Sequence, residues 1–219
     1  MNLSLSTLNR ALRAGFTAAA LVALPQAASA SVVFQSVSDL NNASQISTYG
    51  WCSSCGGSFR IFDQFTLGSS KAINGFSVSL FGQTPYWPAD INFSIWTVGS
   101  SNLPGTELFN QTIAAANFNA AAIPGALYDS VIASTDDVSG LTLNAGTYYV
   151  SFYNSSNLAV NGYNGGGGNL YQQGNQFHTG TSAGFTLTSA DGNNVPEPGG
   201  LALVSLALMG LCATRRRRT

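Results

Sequence analysis

The chain has 219 residues, 8 of them basic and 9 acidic, so charged side chains make up 8% where soluble globular domains usually carry about 25%. So sparse a charge excludes a nucleic-acid binder with a basic face, and it excludes an acidic low-complexity tail. The 45% apolar residues and 24 aromatics are enough to bury one core and unlike a disordered composition.

Six of the eight basic residues lie near the two ends. Arg10 and Arg13 precede an apolar run over 14–24, and Pro25 leads into Ala28-Ser29-Ala30, the small-x-small pattern of signal-peptide cleavage. Residues 1–30 therefore read as a signal peptide cut by signal peptidase after Ala30, with Ala28 and Ala30 as the cleavage determinants. A first membrane-spanning helix is the competing reading. Eleven helical residues reach only about 16 Å, against a bilayer core of about 30 Å, so export is the expectation.

From Ser31 to about Asn194 the chain reads as a succession of strands. Val32, Val33 and Phe34 open the first. Ile61, Phe65 and Leu67 share one face of the segment 60–67, and Asp63 interrupts that face. Phe76, Val78 and Leu80 alternate with Ser77 and Ser79. Ile91, Phe93 and Ile95 alternate with Asn92, Ser94 and Trp96, and Tyr148, Val150 and Phe152 repeat the two-residue period of half-buried strands. Shorter candidates are 107–113, 127–134, 141–143 and 183–189, with turn signals such as Asn74-Gly75, Pro124-Gly125 and Asn144-Ala145-Gly146 between them. About eight or nine short strands without helical periods predict an all-β fold, an antiparallel β-sandwich of jelly-roll type.

Two segments stand apart. The alanine-rich stretch 112–122 reads as a surface connection, because Asn117, Asn119 and Pro124 oppose a long helix. The Asn- and Gly-rich stretch 154–184 reads as a long loop with a short strand near 169–171, a binding loop or a disordered excursion.

Chemistry-bearing residues are few. Trp51-Cys52-Ser53-Ser54-Cys55 has the spacing of a thioredoxin-type redox pair, but Gly56-Gly57-Ser58 follows where the activating helix should run. In an exported chain a structural Cys52–Cys55 disulfide is the expectation, with redox or metal roles as alternatives. The third cysteine, Cys212, lies in the apolar tail. His178 stands alone, without a Gly-x-Ser-x-Gly elbow for a hydrolase, and two cysteines with one distant histidine do not make a zinc cage. Asp136-Asp137 lacks the alternating oxygen ligands of a calcium loop and reads as a solvated turn. No catalytic residue, metal or cofactor is expected. Trp51, Tyr86, Trp87, Tyr163, Tyr171 and Phe177 fall in expected loops, where flat rings could stack on sugars while asparagines bond hydroxyls. Core packing and loop anchoring are the competing roles.

The end of the chain has three parts in order: Val195-Pro196-Glu197-Pro198, an uncharged apolar segment over 199–214, and Arg215-Arg216-Arg217-Arg218 before Thr219. As a helix the apolar segment reaches about 24 Å, short of an average bilayer but workable with snorkelling arginines. The arginines then stay cytoplasmic, and everything before Pro196 lies outside the inner membrane.

This order closely resembles the PEP-CTERM sorting tail of bacteria. The resemblance implies that Val195, Pro196, Glu197 and Pro198 carry the element recognised by an exosortase, a transpeptidase-like cysteine enzyme in the membrane, and that Arg215, Arg216, Arg217 and Arg218 are the membrane-side anchor charges. The two prolines would hold the recognition peptide extended and helix-free. An anchor helix that is never cut is the alternative. More loosely, Asp63-Gln64-Phe65-Thr66-Leu67, Leu103-Pro104-Gly105 and the stretch from Leu141-Thr142-Leu143 through Gly146-Thr147-Tyr148-Tyr149-Val150-Ser151 resemble a sandwich module of exported bacterial proteins with such tails. In that module Gly146 would supply a turn and Tyr148 a core anchor.

The expected organisation is a signal peptide over 1–30, a β-sandwich domain over 31–194 and a sorting tail over 195–219. The expected role is a non-enzymatic structural or adhesive one at the cell surface or in the extracellular matrix, linked by the resemblance to exopolysaccharide. A carbohydrate-binding module is the alternative and a secreted hydrolase a more distant one. The expected partners are signal peptidase, an exosortase-type enzyme, extracellular polysaccharide and, before processing, the inner membrane; nucleic acid is not among them. Without the two end segments, Arg60 and Lys71 face eight acids, so the domain between them is acidic.

Overall fold

The computed structural model describes residues 30–53, 59–84, 86–126, 128–155, 157–173 and 177–190, with the side chains of 48–52, 166, 167, 177 and 178 excepted. Ala28, the tail with residues 195–198 and 215–218, and Cys55 lie outside the described residues. So do the side chains of Trp51, Cys52, Phe177 and His178.

Among the described residues fourteen strands follow one another in the unit from Ala30 to Asn193. They are β1 (Ser31–Gln35), β2 (Ile46–Cys52), β3 (Ile61–Leu67), β4 (Lys71–Ile73), β5 (Gly75–Phe81), β6 (Ile91–Val98) and β7 (Pro104–Ile113). β8 (Asn119–Ala122), β9 (Ser130–Thr135), β10 (Leu141–Leu143), β11 (Gly146–Tyr153), β12 (Ala159–Gln172), β13 (Phe177–Ala183) and β14 (Phe185–Ser189) complete the order. Every recorded pairing is antiparallel, so the all-β, antiparallel class holds. The pairing runs through twelve strands as one curled sheet, with β4 and β10 as a separate two-stranded ribbon.

The curl follows from β12. Its first half pairs with β2 and, through Val160 and Leu80, with β5, its second half pairs with β3, and β13 pairs with both halves. One limb of the sheet runs β1-β14-β5-β9-β8 and the other runs β12-β3-β11-β6-β7. Between the two halves of β12 the register breaks from Asn164 to Asn169, and Gly165 sits there at φ 81°, in the left-handed region that favours glycine.

Both limbs contribute side chains to a common core. Phe76, Val78 and Leu80 of β5 and Phe185 and Leu187 of β14 bury against Phe65 of β3, Ile91, Phe93 and Ile95 of β6, and Val150 and Phe152 of β11. The sets on β3, β5, β6 and β11 keep the alternation read from the sequence, because a pleated strand sends every second side chain to one face. Phe152 lies 5.1 Å from Phe76 and 5.8 Å from Phe185, ring centre to ring centre, so the aromatic rings interlock across the interior. A satellite cluster of Val37, Leu40 and Tyr163 sits beside it.

The stretch 154–184 departs from the loop expected there. Most of it is β12 and β13, and Leu158, Val160, Tyr163 and Leu170 are buried. Gly168 and Gly184 mark close approach between backbone and side chain: a Cβ at Gly168 would clash with Ser182 Oγ and lie 2.8 Å from Asp63 Oδ1, and one at Gly184 would clash with the Tyr163 ring. The alanine-rich stretch 112–122 contains a single 3₁₀ turn over Ala115–Asn117 and the exposed strand β8. Gly146 opens β11, and the half-buried Tyr148 packs 5.8 Å from Phe65, ring centre to ring centre.

Candidate functional site

β3 places opposite chemistry on its two faces. Ile61, Phe65 and Leu67 enter the core, while Phe62 points to the outer face of the limb β12-β3-β11-β6-β7. Register then lines up aromatic rings across adjacent strands: Tyr171 of β12 pairs with Phe62, and Tyr149 of β11 pairs with Trp96 of β6. Phe62 lies 6.1 Å from Tyr171, 6.4 Å from Tyr149 and 5.5 Å from Trp96, the last two edge-to-face. Phe62 and Tyr149 are buried in this row, whereas Trp96 and Tyr171 remain partly exposed.

Arg60 caps the row. Its guanidinium lies 3.9 Å from the Tyr153 ring centre and 5.8 Å from that of Trp96, with Glu107 3.9 Å away. The Trp96 indole N–H donates to Ser94 Oγ at 2.9 Å, which satisfies the ring's polar edge and fixes its orientation. A cleft of about 200 Å³ opens here between Arg60, Phe62, Trp96, Leu103, Pro104, Tyr171 and Gln173. It combines flat aromatic surface, a fork of guanidinium donors and a side-chain amide.

The inner side of β3 holds a second unusual group. Asp63 is 1% exposed and sits on the core face between Ile61 and Phe65. Among the described residues neither carboxyl oxygen has a hydrogen-bond partner of ordinary geometry, and neither does the buried Ser182 Oγ beside it. Burial pushes the Asp63 carboxyl well above 3.8, against a smaller opposite pull from the nearby backbone of Ala183 and Gln64. A groove of about 350 Å³ lies close by, between Phe34 and Gln35 of β1 with the following Ser36, and Gln64, Phe65 and Thr66 of β3, with Gly168, Asn169 and Ser182 along it. Among the described residues no three His, Cys, Asp or Glu side chains gather where they could hold a metal ion.

The six aromatics singled out in the sequence go to different places. Tyr171 lines the cleft. Trp87 and Tyr163 do not present rings to a sugar: Trp87 packs edge-to-face on Phe118 within the core, and Tyr163 is fully buried. The Tyr163 hydroxyl donates to the Leu40 carbonyl at 2.6 Å and lies 2.9 Å from Ser79 Oγ, so that its polar end is satisfied internally. Tyr86 is half-buried, 6.3 Å from Phe81. Trp51 and Phe177 belong to β2 and β13 rather than to loops. Cys52 likewise ends a strand, and the adjoining Ser53 is buried, its hydroxyl donating to the Phe152 carbonyl. Arg60 and Trp96 complete the cleft and are missing from that set of six. Their signal was a tryptophan on the polar side of an alternating strand and a lone arginine before another.

Sequence comparison bears on the tail. A family model for the PEP-CTERM protein-sorting motif matches residues 194–218. The chain carries a PEP-CTERM sorting motif. Pro196, Glu197, Pro198, the apolar segment and the four arginines all fall inside the match. The PEP-CTERM tail marks an exported protein, anchored in the membrane before processing and handed to an exosortase-type enzyme. No curated protein and no solved structure matches the chain.

Proposed function

We propose that the sorted protein has a structural or adhesive, non-catalytic role at the cell surface or in the extracellular matrix, in association with exopolysaccharide. The PEP-CTERM motif at residues 194–218 supports this reading, since such a tail marks an exported protein. The two limbs are read as the leaves of a β-sandwich, a shape that buries one core and leaves two outer faces for contact. In that oxidising setting Cys52 and Cys55 are read as a disulfide.

Carbohydrate binding is the second reading, favoured by the partly exposed Trp96 and Tyr171 beside Arg60. Fractionation of producing cells tests the primary role. The domain is expected in the washed, polymer-rich matrix, and deletion of its gene is expected to weaken matrix cohesion. Recovery only as free protein in the medium, with cohesion unchanged on deletion, would contradict it.

A further inference from the structure

We infer that the cleft between Arg60, Trp96 and Tyr171 is a binding site for a single uncharged sugar ring of a hydroxyl-rich polysaccharide. This deepens the polysaccharide reading above and rests on it.

Three observations select the ligand class. The cleft measures about 200 Å³, below the roughly 300–1,000 Å³ of sites that enclose drug-sized ligands, so it suits one ring with the rest of a polymer running past. Its walls are the partly exposed Trp96 and Tyr171, held by the buried Phe62 between them, and rings held in place lose little conformational freedom on binding. Apolar C–H faces of a pyranose fit such walls, while the Arg60 and Gln173 side chains offer donors to its hydroxyls.

Charge decides between a neutral and an acidic sugar. Arg60 already has the Glu107 carboxylate 3.9 Å away and the Tyr153 ring 3.9 Å from its guanidinium, so an acidic sugar would compete there with a carboxylate already in place. The surrounding domain, residues 31–194, has two bases against eight acids. A polyanion would be repelled on approach, whereas an uncharged polymer meets no such field.

The mature protein, purified from producing cells, can be run by native affinity electrophoresis in gels containing dextran, β-glucan or polygalacturonate. Retardation is expected in one of the uncharged glucans, with little dependence on salt. Tyr171→Ala and Gln173→Ala, at the rim, and Trp96→Ala are expected to weaken it about tenfold while the melting temperature shows the domain still folded. Tyr86→Ala, outside the cleft, should run like the unmodified protein. Retardation of the three cleft variants equal to that of the unmodified protein overturns the cleft and leaves the polysaccharide reading standing. Cleft-dependent retardation in polygalacturonate alone overturns the uncharged class. No retardation in any polymer overturns the site together with the binding reading on which it rests.

Discussion

Phe76 and Phe93 stack with ring centres 4.8 Å apart and planes 19° from parallel, joining β5 of one limb to β6 of the other. Neither strand pairs with the other, so this contact holds the limbs together through side chains alone. Both rings are almost wholly buried. Phe93→Ala is expected to destabilise the domain by about 3–5 kcal/mol, from lost transfer energy plus the cavity left behind, and Phe93→Leu by markedly less. Urea unfolding of the two variants gives the comparison.

Asp63 makes stability depend on pH with a definite sign. In the unfolded chain its carboxyl ionises near 3.8, and burial in the fold raises that value well above it. Between the two values the folded state keeps a proton that the unfolded state has lost. This contribution is therefore fully present below about 3.8 and falls away as pH rises through the folded value. Asp63→Asn removes the titration, so the variant is expected to lose less stability than the unmodified protein between about pH 4 and pH 8 and to be at least as stable at neutral pH. Melting temperatures across that range read the difference; identical slopes would contradict the assignment.

The glycine beside Asp63 is a separate test of close packing. A methyl group at residue 168 meets Ser182 Oγ and Asp63 Oδ1 at once, and both belong to buried side chains. Gly168→Ala is expected to cost about 1–3 kcal/mol through overpacking. Gly140→Ala offers a contrasting cause: open space surrounds that position, and strain at φ 72° is the only penalty.

Tyr163 joins β12 to the satellite cluster by its hydroxyl as well as its ring. Tyr163→Phe keeps the ring and deprives the Leu40 carbonyl of its donor, so a loss of about 1–2 kcal/mol is expected. Because the ring has no exposed face, the same change should leave polysaccharide retention unaltered. Thermal melts and affinity electrophoresis on one sample report both quantities.

How much of this was legible in the chain depended on whether neighbouring residues carried the signal. β5, β6 and β11 announce themselves, since Phe76-Val78-Leu80, Ile91-Phe93-Ile95 and the run from Tyr148 to Phe152 alternate within a few residues. Asp63 was visible as a break in such a pattern. β12 was not, because glycines and asparagines usually signal loops; here they supply the bulge and the tight contacts with Asp63 and Ser182 that let one strand serve both limbs. Tyr163 was misplaced for the same reason. The cleft could not be assembled from local pattern either: Phe62, Trp96 and Tyr171 are brought together by strand order, and no spacing in the chain encodes that order. The tail, by contrast, is a linear signal, so its three consecutive parts could be read without any fold.

Mass spectrometry of the termini of the protein recovered from the cell exterior tests the central claim, that this is an exported chain whose tail is removed during sorting. The account predicts an N-terminus at Ser31 and no peptide from residues 201–218, with the full tail reappearing when the exosortase is deleted. An exterior protein that retains Met1, or one in which residues 201–215 remain joined to the β domain in cells with active exosortase, would contradict it.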